Sequence, residues 1–195
     1  RDIVWENRLY ILSYHSDLPA EAIFSEFVRW GALQQFPEAT RSHDNDRTPA
    51  RRLRVGYVSP DFRRHTSRFF FEPFFMAHDR NAVELFAYSN VAVPDEYTER
   101  FKAMFDHWRD ISPMSEDAAA QLVRRDGIDI LVDACNHMRG ERLRLFARKP
   151  APVQVTWLGS AWTSGLPMID YVLFDPHLAP PDTLARESIV RLPRT

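Results

Sequence analysis

From Leu53 onward the sequence alternates short runs rich in apolar residues with amphipathic stretches, and that alternation limits the possible folds more than any other feature. Leu53-Arg54-Val55-Gly56-Tyr57-Val58-Ser59 reads as a first strand. Further strands are predicted over 83–89, 128–135, 153–159 and 171–175, with a weaker one over 108–111 and a strand-like Ser188-Ile189-Val190-Arg191. Helices are predicted between them over 67–78, 95–105, 115–125 and 140–149. Runs such as Ile128-Asp129-Ile130-Leu131-Val132 look buried on both faces, which predicts an α/β fold: a parallel sheet covered by helices and joined by right-handed crossovers.

Residues 1–35 read differently. Helical spacing is visible over 4–14, and again from Pro19 to about residue 33, where Ile23, Phe24, Phe27, Val28 and Trp30 recur at helical intervals. Ser16 or Asp17 is expected to cap the second helix, with Pro19 in its first turn. Residues 36–51 carry Pro37, Ser42, Asp44, Asn45, Asp46 and Pro49 without periodicity and are expected to form a polar connector. The chain thus divides into a helical segment, 1–51, and a sheet-containing lobe, 52–195.

Composition narrows the function classes. The formal net charge is -2, from 25 Lys plus Arg against 27 Asp plus Glu, so no general positive field draws the chain to nucleic acid or anionic lipid. The pairs Arg51-Arg52, Arg63-Arg64 and Arg124-Arg125 are expected on solvated faces and caps. Cys135 is the only cysteine, which excludes an intrachain disulfide and a cysteine-rich zinc site and fits a reducing compartment. No apolar run approaches the roughly 20 residues of a bilayer span, and the start lacks a signal-peptide core, so a cytoplasmic protein without membrane partners is expected. Without an initiator Met, and ending just past a strand-like run, the sequence reads as a fragment.

In a parallel sheet the chemistry gathers where loops leave the carboxyl ends of the strands. After the first strand comes Ser59-Pro60-Asp61-Phe62-Arg63-Arg64-His65-Thr66-Ser67-Arg68, which puts a carboxylate, an imidazole, two hydroxyls and three guanidinium groups before a helix. A helix amino terminus suits a phosphate, and His is the usual proton-transfer group near neutral pH. The alternative is that Asp61 or Ser67 caps the helix while His65 packs over it. The loop has no glycine, which argues against a dinucleotide fingerprint, and no P-loop run occurs. A second polar cluster, Asp133-Ala134-Cys135-Asn136-His137-Met138-Arg139-Gly140, follows the 128–135 run, and there His137 is either a site residue or structural. Leu158-Gly159-Ser160-Ala161-Trp162-Thr163-Ser164-Gly165 is a loop of mostly small residues. Asp44-Asn45-Asp46 matches a divalent-metal pattern but reads better as a solvated turn, so no metal site is expected. His43, His78, His107 and His177 have no companion at metal spacing, and Cys135 reads as a small buried hydrophobe.

Three blocks in order carry a resemblance: Leu53-Arg54-Val55-Gly56-Tyr57-Val58-Ser59-Pro60-Asp61-Phe62, then Asp126-Gly127-Ile128-Asp129-Ile130-Leu131-Val132, then Lys149-Pro150-Ala151-Pro152-Val153-Gln154-Val155-Thr156-Trp157-Leu158-Gly159. With Thr163-Ser164-Gly165 and Asp170-Tyr171 they resemble the catalytic region of the O-GlcNAc transferase family over almost all of 52–192. Leu12-Ser13-Tyr14-His15 is similar to the segment that joins tetratricopeptide repeats to that region, although no repeat is visible here. The resemblance implies a Rossmann-like parallel-sheet lobe, the first of the two facing lobes of a GT-B glycosyltransferase. It implies transfer of N-acetylglucosamine from UDP-GlcNAc to Ser or Thr hydroxyls of an acceptor protein or peptide, with inversion and with no metal or other cofactor.

The same matching implies site residues. Asp61, Phe62 and His65 match an Asp-Phe-x-x-His loop whose His lies against donor and acceptor. Thr66 and Ser67 would lie near the donor sugar, and Leu158 and Gly159 would line the cleft, with His137 and Thr163 joining the donor and acceptor contacts. His15 would face the acceptor. Catalysis would fall to His65, Asp61 and His15, while helix N–H groups and a Lys of the second lobe would stabilise the leaving pyrophosphate. The chain departs from the family pattern at Thr66, Asn136-His137-Met138 and Ser160-Ala161-Trp162, and Trp162 is expected to narrow the cleft. Without the second lobe this stretch is expected not to turn over. The competing classes are a non-catalytic module that binds a sugar nucleotide or a peptide, favoured slightly by the altered loops, and a dinucleotide-binding oxidoreductase domain, disfavoured by the glycine-free first loop.

Overall fold

The computed structural model describes residues 2–34, 36 and 42–193. Pro37 of the connector and the last two residues lie outside this range. Two helices come first, α1 (Asp2–Leu12) and α2 (Ala20–Leu33), and the alternation follows: β1 (Leu53–Ser59), α3 (Arg68–Met76), β2 (Val83–Ser89), α4 (Glu96–Lys102), β3 (His107–Asp110), α5 (Glu116–Arg125), β4 (Ile130–Asp133), α6 (Leu143–Ala147), β5 (Val153–Trp157), β6 (Tyr171–Phe174) and β7 (Ser188–Arg191). Among the described residues the seven strands form one sheet in the order β3-β2-β1-β4-β5-β6-β7, with every pair parallel. The α/β expectation holds.

Each face of the sheet is buried by its own layer, as a parallel sheet requires. On one face α3 and α4 set Phe71, Phe75 and Phe101 against Tyr57, Leu85 and Val132. On the other, α5 and α6 pack Val123 and Phe146 against Val58, Tyr88 and Leu131, and α2 joins the same layer through Phe27 and Trp30, each 1% exposed. The amino-terminal helices therefore share the core of the sheet. α1 adds the fully buried Leu9 and an Arg8–Glu26 ion pair at 2.8 Å to α2.

Several local expectations are corrected. Neither Ser16 nor Asp17 caps α2: the N-cap position is Pro19, with no side-chain hydrogen bond, and the Ser16 hydroxyl donates to Asp17 instead. The strands predicted over 128–135 and 153–159 are shorter, because Asn136 and Leu158 adopt positive φ (51° and 72°) and turn the chain out of the sheet. The helix predicted over 140–149 shrinks to Leu143–Ala147. Arg142 before it is buried, donating to the carbonyls of Ile111 and Met114 and to Asn90 Oδ1 at 2.9–3.0 Å.

The connector is tied down rather than free. Asn45 Nδ2 donates to Asp129 Oδ1 at 2.7 Å and to the carbonyls of Gly127 and Ile128. Arg51, expected on a solvated face, instead holds Asp129 through two bonds of 2.6 Å. Asp46 accepts from the Thr48 N–H and hydroxyl, closing a turn. The polar hollow lined here by Asp44, Asn45, Arg51, Arg54 and Asp129 opens at the amino ends of the strands, on the edge opposite the functional loops.

Candidate active site

The strand order reverses at β1 and β4. The chain runs outward from β1 through β2 and β3, then returns to the other side of β1 with β4. Loops leaving the carboxyl ends of two such strands diverge and open a crevice. Residues 60–67 form one wall and residues 134–142 the other, with the loop of residues 158–170 beside the second.

The first wall is built from the end of β1. The buried Ser59 hydroxyl accepts from the Asp61 N–H at 3.0 Å, and the turn sends Phe62 into the core against Phe71, Phe101 and Phe105. With Phe62 as anchor, Asp61 is held at the crevice, 9% exposed. Its Oδ1 lies 3.3 Å from Arg63 Nη2 and its Oδ2 3.5 Å from His65 Nδ1. Burial pushes the Asp61 carboxyl above its ordinary value, against the pull of His65 and Arg63.

His65 Nδ1 also lies 2.9 Å from Ser67 Oγ and accepts from the Ser67 N–H at 3.3 Å. One edge of the ring is thus held, while Nε2 has no protein partner among the described residues and the side chain is 36% exposed. When Nδ1 accepts from the Ser67 N–H the ring proton sits on Nε2; in the other tautomer Nδ1 gives up that contact and donates to Asp61 or Ser67 Oγ, and Nε2 is then a base available to a bound molecule. The 3.5 Å separation from Asp61 is loose for a hydrogen bond. Thr66 is exposed beside it. Ser67 does occupy the N-cap position, but with helical φ and ψ and no side-chain cap, so the capping alternative is not what this loop does.

One expectation about this loop fails. The N–H groups opening α3 are engaged: those of Arg68, Phe69 and Phe70 donate to the carbonyls of His65, Thr66 and Ser67 in a tight turn that leads into the helix. They are not free to hold a pyrophosphate. In this stretch the N–H groups of His65 and Thr66 remain without a partner among the described residues.

The second wall is locked. Asp133, 1% exposed at the end of β4, accepts from Thr156 Oγ1 at 2.8 Å and from the N–H groups of Asn136 and Cys135 at 3.0 and 3.2 Å. Complete burial pushes its carboxyl up to about 6. Asn136 Nδ2 donates to the Trp162 carbonyl at 2.9 Å. Gly159 lies so close to this turn that a Cβ would meet the Cys135 carbonyl carbon at 2.1 Å. Cys135 is buried, and burial raises its thiol well above the ordinary value, which leaves it unreactive.

His137 faces the protein interior. Its ring stands edge-on to Trp30 and Phe27 of α2, with centroids 4.5 and 5.0 Å away, and Nε2 donates to the Ser164 carbonyl at 2.8 Å. Burial lowers its imidazole to about 4. Thr163 is also fully buried. Its hydroxyl donates to Glu187 Oε2 at 2.5 Å, while Glu187 Oε1 accepts from the Ser164 N–H at 2.8 Å and from the Ser164 hydroxyl. Here the backbones of α2 and the loop touch: a Cβ on Gly31 would stand 1.9 Å from the Gly165 carbonyl oxygen. Trp162, expected to narrow the cleft, instead stacks on Phe27, with centroids 6.1 Å apart and planes 8° from parallel.

Of the residues singled out from the sequence, the structure brings His65 against both Asp61 and Ser67, with Thr66 adjacent. Leu158 and Gly159 are half-buried next to the second wall. His137 and Thr163 lie in the seam between the loops and α2. His15 is exposed past the end of α1, its N–H donating to the Leu12 carbonyl, and no hydrogen bond or ion pair joins its side chain to the others. Sequence reasoning assigned no role to Asp133, Glu187 or Arg142. Asp133 had a visible signal, a carboxylate closing an apolar strand, whereas Glu187 meets Thr163 only through the fold.

A family model described as glycosyl transferase family 41 matches residues 19–190. A probable UDP-N-acetylglucosamine–peptide N-acetylglucosaminyltransferase, SPINDLY, of Oryza sativa subsp. japonica is 38% identical over 97% of this chain and 21% of its own length. A UDP-N-acetylglucosamine–peptide N-acetylglucosaminyltransferase of Caenorhabditis elegans is 39% identical over 66% of this chain and 11% of its own. Among solved structures, a mutant of the Thermobaculum terrenum O-GlcNAc transferase superposes with a TM-score of 0.92 at 42% identity, covering 97% of this chain and 37% of that one. The chain spans about a fifth of the length of the plant relatives.

Proposed function

The chain belongs to glycosyl transferase family 41, and from that premise we propose that it is the first lobe of a protein O-glycosyltransferase that moves N-acetylglucosamine from UDP-GlcNAc to Ser or Thr hydroxyls. The observation that carries the reading is the Asp61–His65–Ser67 contact at the switch point of the sheet, in a family whose relatives are named for this transfer. In this reading residues 1–51 join tetratricopeptide repeats to the catalytic region, and residues 52–195 face a second lobe that grips the nucleotide. The enzyme works in the cytoplasm, without a metal ion.

The acceptor hydroxyl attacks the anomeric carbon as UDP leaves from the opposite face, and the hydroxyl proton must be accepted or polarised away. His65 Nε2 is the group placed for that task, with Asp61 and Ser67 orienting the ring and Asp61 balancing positive charge that grows on it. Thr66 and the uncommitted N–H groups of His65 and Thr66 offer donors to the sugar or diphosphate. Leu158 and Gly159 line the far side, and His15 reaches the acceptor from the helical segment. His137 and Thr163 serve the site from within the seam, by fixing the loop that carries Leu158 and Gly159.

Transfer and hydrolysis assayed with UDP-GlcNAc and a panel of other UDP- and GDP-sugars, in the full-length protein and its His65→Ala variant, test the reading. Activity with one donor, reduced about 10²- to 10⁴-fold by the substitution, is the expected result. Inactivity with every sugar nucleotide would replace the enzyme by a binding module, and full activity in the variant would remove His65 from the chemistry.

A further inference from the structure

α3 is apolar on both sides. Phe71 and Phe75 are fully buried against the sheet, yet its opposite face sets Phe69 (65% exposed), Phe70 (53%) and Met76 (74%) toward solvent, with the exposed Pro73 between them. A helix that is apolar all round belongs in an interior, and a contiguous exposed apolar stripe marks a contact surface. The stripe runs about 10 Å along the helix and starts two residues after Ser67.

Positive charge gathers at the crevice end of the stripe. Three guanidinium groups gather on the Tyr97 ring: Arg68 at 4.6 Å, Arg100 at 5.2 Å and Arg64 at 5.6 Å. Arg64 is paired with Glu96 at 3.5 Å and Arg100 with Glu72 at 3.4 Å. Arg68 alone has no carboxylate within ion-pair distance among the described residues, and it is stacked at 4.2 Å on Phe69. The crevice end of the stripe therefore carries one oriented positive charge with no counter-ion, next to two exposed aromatic rings.

We propose that this stripe seats the acceptor polypeptide, as a segment that places a carboxylate on Arg68 and an apolar side chain on Phe69 and Phe70, a few residues from the hydroxyl that reaches His65. The proposal rests on the transferase reading for the identity of the occupant. Charge and place single out this occupant: Arg68, which has no carboxylate partner among the described residues, stands at the end of the stripe only three residues past His65. An acidic and apolar flank would then be a determinant of acceptor choice separate from the donor site.

The test is fluorescence anisotropy of labelled Ser-containing peptides titrated with the full-length protein, one peptide flanked by Asp and Leu and its counterpart by Lys and Ser. The expected result is about fivefold tighter binding of the Asp-Leu peptide. Arg68→Glu should reverse the charge preference and Phe70→Ser should erase the apolar one, both variants keeping the wild-type melting temperature and UDP-GlcNAc hydrolysis within about twofold. The proposal is overturned if Arg68→Glu leaves the preference unchanged. It is equally overturned if Phe70→Ser lowers melting temperature and hydrolysis together, which would mean that the rest of the enzyme covers the stripe, or if Phe70→Ser abolishes self-association in sedimentation. A wild type inactive toward every sugar nucleotide would sink the transferase reading, while the anisotropy would still decide whether the stripe binds the acidic peptide.

Discussion

The two loops that wall the crevice are built to opposite specifications. Residues 60–67 hold Asp61, His65 and Ser67 by contacts of 2.9–3.5 Å within a partly exposed loop, whereas residues 134–142 and the neighbouring 158–165 bury most of their polar groups in networks built on Asp133 and Glu187. A reacting group has to exchange its partners during a reaction cycle, and a supporting group must not. The first loop fits the former role and the second the latter, although both are rich in the residue types that catalysis uses. Polar composition marks both loops, and only burial separates them.

The sharpest way to break this contrast is to remove the anion at the centre of the locked side. Glu187→Ala leaves the hydroxyls of Thr163 and Ser164 and the Ser164 N–H without their acceptor inside the protein, which is expected to cost about 4 kcal/mol. Ser67→Ala on the open side is expected to change stability by about 0.5 kcal/mol or less. Urea unfolding of the two variants beside the wild type checks the difference. Equal losses would mean that the first loop is as structural as the second.

The same contrast explains what could be read without the fold. The alternation after Leu53 specified the parallel sheet, since each run of Val, Ile, Leu or aromatic residues buried on both faces became a strand, and β1 and β2 have the predicted limits. Asp61 and His65 were visible because they share one loop. His137 and Thr163 were visible only as residue types: their surroundings come from α2 and Glu187, which are far away in sequence, so nothing local reveals that both side chains point inward. Much of the long block from Lys149 to Gly159 turns out to be scaffold. Lys149 Nζ bonds Asp170 Oδ2 at 2.5 Å, and Gln154 donates to the Phe146 and Met168 carbonyls. The Arg51–Asp129 clamp was missed because paired arginines in a polar stretch look the same whether or not a carboxylate waits for them.

Within the locked side two groups titrate in opposition, which sharpens the comparison at the next scale of effect. His137 has its imidazole lowered to about 4, so the stability it contributes is complete above the ordinary value near 6.5 and is lost as the pH falls through 4. Asp133 is raised to about 6, so its contribution is complete below the ordinary carboxyl value and is lost as the pH rises through 6. Each change is worth roughly 3 kcal/mol, and between pH 6.5 and 4 the two largely cancel. His137→Gln should therefore grow more stable relative to wild type on acidification across that window, and Asp133→Asn less stable. Melting temperatures at pH 7 and pH 4.5 report the signs. Parallel shifts in the two variants would show that the seam does not enclose both groups.

The smallest expected effect concerns the open loop itself. The Asp95 carboxylate accepts from the Arg64 N–H at 2.8 Å while capping α4 through the N–H groups of Tyr97 and Thr98. It is thus a tie between the His65 loop and the neighbouring helix, beside the more exposed Arg64–Glu96 pair. If the first loop is only lightly held, removing one tie should loosen it without disturbing the other wall, because no hydrogen bond of the second loop passes through Asp95. Asp95→Ala is expected to speed amide exchange at Arg64 and Tyr97 by roughly tenfold, leaving Asn136 and Ser164 at their wild-type rates. Faster exchange at Asn136 as well would mean that the two walls open together, and that the division of labour between them is an appearance of the static structure.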